Sequence, residues 1–291
     1  MRLAEIQRHI SSMDELQDIV GAMRSLAGMR MQEALRALPG VRGYAEAMEA
    51  AIGDALLLMR RDEADDNARS GARALVLCMA EHGFVGGFDE RLLEAAQAAR
   101  EPGDRLFVLG SHGAQRMIEH GHELAWARPT ASRLAGAPHA VDALAQELYG
   151  RIASGEIARV DVMFGRYRQG GQSSIERNRV LPVELAVPAA ESTRLPPLHN
   201  MAPRALLEKL IAEYVFARLA EAAVESIASE NAARYTAMSA AHDNVGKKLS
   251  GLQASAREAR QTEITSELMD LVTGEEATSA KAHRPSSNPG A

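Results

Sequence analysis

The last third of this 291-residue chain limits its possible folds most sharply, because no proline stands between Pro203 and Pro285 and one seam runs through the interval. Leu210, Tyr214, Ala217, Glu221, Val224, Ala228, Asn231, Tyr235, Met238, His242, Val245, Leu249, Leu252, Ala256 and Ala259 step by four and three without a fault. A seven-residue repeat sustained over so many turns keeps one stripe facing one partner and implies a left-handed coiled-coil seam. At the standard rise per residue, a helix over residues 204–273 would be about 100 Å long, several times an ordinary globular helix. Such a helix needs company along its length.

The other end of the chain supplies it. Between Arg2 and Leu38 there is no proline, and Leu3, Ile6, Ile10 and Met13, then Leu16, Ile19, Met23 and Leu26, recur at steps of three and four with one stutter. Pro39-Gly40 is expected to kink or interrupt this helix, and the pattern resumes from Tyr44 to Met59. Both long helices flank the same middle segment, so an antiparallel intramolecular coiled coil follows. Its seam carries Ala217, Ala228, Asn231, Ala256 and Ala259, which keep the pair thin at the expense of apolar burial. An aromatic content of only 4% suits such slender seams.

In the middle the period changes. Short apolar runs at Ala74 to Met79, Leu106 to Leu109 and Val160 to Phe164 alternate with helical segments at Glu90 to Ala99, Gly113 to Glu119 and Val141 to Ala153. Alternation of this kind predicts a small Rossmann-like α/β domain with a largely parallel sheet. A later run, Val180 to Val187, reads as an edge strand because Pro182 and Pro188 would spoil a central one. The expected organisation is therefore an N-terminal coiled-coil helix (1–59), a charged linker (60–73), a central α/β domain (74–187), a proline-rich connector (188–203), a C-terminal coiled-coil helix (204–273) and a disordered Ser/Pro/Gly/Ala-rich tail (274–291).

Chemistry is hard to find in this sequence. The turn Glu81-His82-Gly83-Phe84-Val85-Gly86-Gly87-Phe88 follows a strand and precedes a helix, but it lacks the lysine and hydroxyl of a P-loop, and its glycines miss the dinucleotide spacing. A tight structural turn is the better account. His112, His120 and His122 lack a carboxylate or cysteine at a completing distance, so no metal is expected. Ser111-His112 sets a hydroxyl beside an imidazole without an oxyanion donor. The lone Cys78 sits in an apolar run and reads as inert core. A net charge of −6 without a basic, aromatic-interleaved block argues against nucleic acid, and no apolar run is long enough to span a bilayer. Neither a catalytic residue nor a cofactor is expected.

Two long stretches carry a resemblance. Glu225 to Met238, reading ESIASENAARYTAM, is similar to the E-S-x-A-S-E-x-A-A-R-x-x-A-M signature of the gamma subunits of rotary ATP synthases, and Arg260 to Leu268, RQTEITSEL, resembles their R-Q-x-x-I-T-x-E-L end motif. The Ala22-Met23-Arg24 step and the turn Gly83-x-x-Gly86-Gly87-Phe88 are shorter likenesses. Ala80-Glu81-His82, where the family usually has S-D-R, and Ala256 to Gln261, where Y-N-x-A-R-Q is common, depart from the pattern and suggest a divergent branch.

The resemblance implies a non-catalytic rotor whose coiled coil runs up the axis of a hexamer of α and β subunits. Its α/β domain would stand on the membrane ring of c subunits beside the epsilon subunit. Ion flow, of protons or sodium, would then couple to nucleotide chemistry on the β subunits by population shift. By motif match Met23, Arg24, Arg234, Arg260, Gln261, Thr265 and Glu267 would meet the catalytic ring. Peripheral attachment to the cytoplasmic face of a bacterial inner membrane, through partners only, is the implied location. Heptads alone would equally suit a coiled-coil adaptor with a globular head, and an α/β domain could house an enzyme; the end motif favours the rotor over both.

Overall fold

The computed structural model describes residues 3–58, 71–131, 133–168, 173–183 and 198–282. The chain divides into two compact units, one made of residues 1–22 and 239–291 and the other of residues 23–238. Two long helices, α1 (Leu3–Leu56) and α5 (Pro203–Ala282), contribute to both units.

The larger unit is built on a five-stranded sheet in the order β3-β2-β1-β4-β5. Its strands are β1 (Ala72–Cys78), β2 (Arg105–Leu109), β3 (Trp126–Arg128), β4 (Ile157–Tyr167) and β5 (Ser173–Leu181). The first four pair in parallel and β5 closes the edge antiparallel to β4. Between them stand α2 (Phe88–Ala99), α3 (Ser111–Glu119) and α4 (Ala137–Ala153). Successive residues of β1 face opposite sides, as a pleated strand requires. Ala74, Val76 and Cys78 enter a cluster with Leu144 of α4, Ile52 of α1 and Val215 and Leu219 of α5, while Leu75, Leu77 and Met79 enter another with Phe88 and Leu92 of α2 and Met117 of α3. A strand covered on both faces reads as a continuous apolar run, which is why β1 was legible.

Local chemistry sets the element ends. Asp89 and Glu90 lie in the first turn of α2, where carboxylates complement the helix dipole. Gly110 follows β2 with φ of 117°, and a Cβ there would fall 2.4 Å from the carbonyl oxygen of Met79, so the turn into α3 admits only glycine.

Several expectations change. Strand β3 is only three residues long, and its Trp-Ala-Arg lacks a pattern to announce it. The edge strand lies at Ser173–Leu181 instead of Val180 to Val187. Its Ser-Ser-Ile-Glu-Arg-Asn-Arg stretch is polar because an edge buries little, and residues 184–187 lie outside the described residues. Pro39 does not end α1, which continues through it; the proline is exposed, with buried Leu38 beside it holding the apolar face. The linker is shorter than expected, since Ala72 and Arg73 belong to β1, and residues 59–70 are outside the described residues. Helix α5 passes the expected end at 273 and reaches Ala282, so part of the segment assigned to a disordered tail is helical, while 283–291 lie outside the described residues.

The seam of α1 is also shifted. In the smaller unit its covered positions are Leu3, Ile6, Ile10, Met13, Gln17 and Val20, and in the larger unit Arg24, Ala27, Met31, Ala34 and Leu38 continue at steps of three and four. Leu16, Ile19 and Leu26, assigned to the seam by their spacing, are exposed. Close approach explains the change. A Cβ on Gly21 would lie 3.8 Å from the His242 ring, one on Gly246 would lie 3.5 Å from Gln17, and, in the larger unit, one on Gly28 would lie 3.4 Å from the Tyr235 ring. Small residues admit the partner helix there and bulky ones stand aside.

A buried ionic knot fastens the amino end of β1. The Arg73 guanidinium, 4% exposed, donates to Asp104 Oδ1 at 2.9 Å, to Ala99 O at 2.7 Å and to Asp161 Oδ2 at 3.4 Å. Burial opposes ionisation of Asp104, but hydrogen bonds from Arg73 and the Glu101 amide outweigh it and hold the carboxyl below its ordinary range. A carboxyl depressed in the fold stabilises above its unfolded pKa, about 4, and that stabilisation is lost as pH falls through the lower folded value. Asp104→Asn should therefore lower the urea midpoint at pH 7, and its difference from wild type should shrink at pH 3. An equal difference at both values would contradict the ion pair.

Candidate functional site

The glycine turn between β1 and α2 was the one place in the sequence with the outline of a ligand loop. Its first half, Glu81 to Gly83, is tied inward. Glu81 accepts the Ser111 amide at 3.0 Å, the Ser111 hydroxyl at 2.8 Å and the Thr130 amide at 2.7 Å. Asp89, 1% exposed, accepts the Ala80 amide at 2.9 Å and lies 2.7 Å from His112 Nδ1. Both carboxylates are thus spent on shaping the turn, and Ser111 and His112 serve it too. No group of His, Cys, Asp and Glu able to hold a metal occurs among the described residues.

From α5, Arg234 reaches the same turn. Its guanidinium donates to His82 O at 2.8 Å and Gly83 O at 3.3 Å, and to Glu230 at 2.7 Å and Asn231 Oδ1 at 3.2 Å on its own helix. Arg234 and Glu230 are both buried. Desolvation holds the Glu230 carboxyl above the usual carboxylate range, against the opposing pull of Arg234. The tethered turn presents Phe84 to solvent, 70% exposed and at φ of 61°, a conformation that costs a non-glycine residue about 1–3 kcal/mol. Nothing in the sequence marks Phe84 as strained, because positive φ is ordinarily a glycine conformation.

The motif residues divide by unit. In the larger one Met23 and Arg24 are half-buried on α1, and Arg234 is buried with its guanidinium on the turn. In the smaller one Arg260, Gln261, Thr265 and Glu267 are all exposed on α5, and Thr265 returns its hydroxyl to Gln261 O at 2.8 Å.

A family model described as ATP synthase matches residues 2–278. An ATP synthase gamma chain from Geotalea uraniireducens (strain Rf4) is 26% identical over an alignment 288 residues long, which covers 94% of this chain and 98% of the relative. The chain belongs to the ATP synthase gamma-subunit family.

Solved structures agree on the fold. A chain of the Euglena gracilis mitochondrial ATP synthase, in its OSCP/F1/c-ring assembly, aligns with a TM-score of 0.65 at 10% identity, covering 99% of this chain and 98% of that one. A chain of the Tetrahymena thermophila mitochondrial central stalk and c-ring aligns at 0.57 and 14% identity, covering 77% and 99%. As a gamma subunit, the protein is a central-stalk rotor and a non-catalytic part of its complex.

That role gives meaning to apolar surface left uncovered. In the smaller unit Leu16 and Ile19 on α1 and Ile264, Leu268 and Leu271 on α5 are exposed, and in the larger unit Leu26 and Met29 are as well. Large apolar side chains repeated along helices at three- and four-residue steps are unusual on a free monomer and normal on a subunit. Register adds a further point within the smaller unit. Gln17 lies against Gly246 and Gly21 against His242, so the described residues of α1 run out opposite Arg260, and from there α5 is exposed on every side up to Met269.

Removing the Arg234 side chain would leave Glu230 buried without its cation and two carbonyls without a donor. Arg234→Ala should cost the isolated chain about 3–5 kcal/mol of unfolding free energy at pH 7. The loss should diminish as pH falls through the raised range of Glu230, where the buried carboxyl is neutral. Urea denaturation across pH measures both effects, and a variant as stable as wild type would refute the tether.

Proposed function

We propose that this rotor subunit turns inside a hexamer of α and β subunits, with its α/β unit beside an epsilon subunit and on a ring of c subunits. Rotation would couple proton or sodium flow to ATP synthesis or hydrolysis on the β subunits. An asymmetric shaft that touches three catalytic interfaces differently stabilises a different conformation at each, so turning it redistributes nucleotide affinity. The observation that carries this reading is the exposure of the whole end motif, Arg260, Gln261, Thr265 and Glu267, on a stretch of α5 that has no described α1 residue opposite. Polar residues at such a place contribute little to the fold of their own chain, and Arg260 offers a planar fork suited to a partner's carboxylate.

Met23 and Arg24 are proposed to meet the same ring from α1. Arg234 is proposed to act on it indirectly, by holding the turn that displays Phe84. No helix among the described residues is long and apolar enough to cross a membrane, which accords with attachment through partners to the cytoplasmic face of a bacterial inner membrane.

Affinity purification of the tagged chain under native conditions should bring down α, β, epsilon and c subunits together, and recovery of the chain alone would sink the assignment. The double variant Arg260→Ala/Gln261→Ala should leave the stability of the isolated chain within about 0.5 kcal/mol, as exposed positions do. In reconstituted vesicles the same variant should impair assembly or ATP-driven ion pumping. Normal pumping would show that these side chains do not engage the ring.

A further inference from the structure

The geometry points to a second role for the polar stretch of α5 from Glu225 to Arg234: it is an internal latch that fixes the rotational angle of the long helix on the sheet, so that torque passes between them without slip. This inference rests on the rotor role and concerns the larger unit alone.

Open α/β sheets leave a crevice at the carboxyl ends of their strands where the strand order reverses, and ligands usually enter there. In the order β3-β2-β1-β4-β5 the reversal falls between β1 and β4. Here α5 fills it. Ser226 donates its hydroxyl to the carbonyl of Cys78, the last residue of β1, at 2.6 Å. Ser229, one turn further, donates to the carbonyl of Gly165 at 2.8 Å, one residue beyond the last β1–β4 pair. Gly165 permits this approach, since a Cβ there would stand 2.6 Å from the Phe88 ring and 3.1 Å from the Ser229 Cβ. Five residues further along α5, Arg234 takes the carbonyls of His82 and Gly83. Three side chains of α5 thus meet four carbonyls, at and just beyond the carboxyl ends of the strands.

The neighbouring face is held by charge. Glu225, fully buried, pairs with Arg42 of α1 and lies 3.4 Å from Arg166 of β4. Glu221, one turn before it, lies 2.9 Å from Arg218 and 3.8 Å from both Arg42 and Arg166. The α1 helix, the α5 helix and the sheet therefore share one ionic cluster.

Apolar packing alone would hold α5 against the sheet but would resist rolling weakly, because contact between hydrocarbon surfaces is not directional. Hydrogen bonds are directional and weaken steeply as their angle closes. A roll of one residue about the helix axis would turn both hydroxyls and the guanidinium away from their carbonyls and leave buried polar groups unmatched. Ser226 and Ser229 are positioning residues in this scheme and meet no substrate.

The test uses the complete enzyme in sealed vesicles, carrying the wild-type chain, Ser226→Ala/Ser229→Ala, each single variant, or Ser250→Ala as a control on the exposed side of α5. ATP hydrolysis and ATP-driven ion uptake are measured together. The double variant should keep hydrolysis within about twofold while uptake per ATP falls about thirtyfold, the factor set by two net hydrogen bonds at about fivefold each. Each single variant should fall between, so the reading survives even if the double variant fails to assemble, and the control should match wild type. Uptake per ATP unchanged in the serine variants would overturn the latch, and so would a parallel loss of hydrolysis and uptake in an assembled enzyme. If the wild-type chain does not enter an active complex, the rotor role fails and the latch is not what failed.

Discussion

Helix α5 is buried or half-buried at every position from Tyr214 to Ala232, enclosed by the sheet, α4 and α1. A helix that is covered all round is part of a core, and here the core element also contributes to the smaller unit. The same residues that bury Val215 and Leu219 under the sheet place Ser226, Ser229 and Arg234 at the carboxyl ends of the strands. Everything else in the larger unit is arranged around this passage: Gly165 gives it room, Phe88 packs beside it, and the turn at Glu81 to Gly87 is shaped to meet it.

That arrangement also explains the missing chemistry. The fold class has a customary ligand crevice, and the polar groups that would recognise a ligand there are committed to the chain's own carbonyls and amides. Glu81 shapes the loop after β2, Asp89 caps the end of β1, and Glu230 is held by Arg234. A buried carboxylate matched in this way is costly to disturb and has nothing left to offer a substrate. What remains outside is a row of exposed apolar and polar side chains on the helices, a surface suited to other subunits.

The heptad steps of α5, the three buried parallel strands and the two long motifs could all be read directly from the chain, because each is a local pattern with a period or an order that survives without coordinates. Strand β5 could not, since an edge strand of serines, arginines and a glutamate satisfies its backbone through β4 and needs little burial of its own. The α1 seam was misjudged between Leu16 and Leu26 for a related reason. The step of apolar residues after the stutter suggested that the leucines and isoleucine faced inward, but the spacing between helices at Gly21 and Gly28 is set by His242 and Tyr235, residues more than two hundred positions away.

By itself the sequence determined the fold class and the family, because helix period, strand–helix alternation and motif identity are properties of neighbouring residues. Tertiary structure alone decided which motif residues look inward. Arg234 and Arg260 belong to equally recognisable motifs, yet one is buried against two backbone carbonyls and the other is exposed. The physical reason is that a guanidinium's role depends on the acceptors brought to it, and those of Arg234 come from a turn about 150 residues earlier in the chain, which only the packing of α5 against the sheet places within hydrogen-bonding reach.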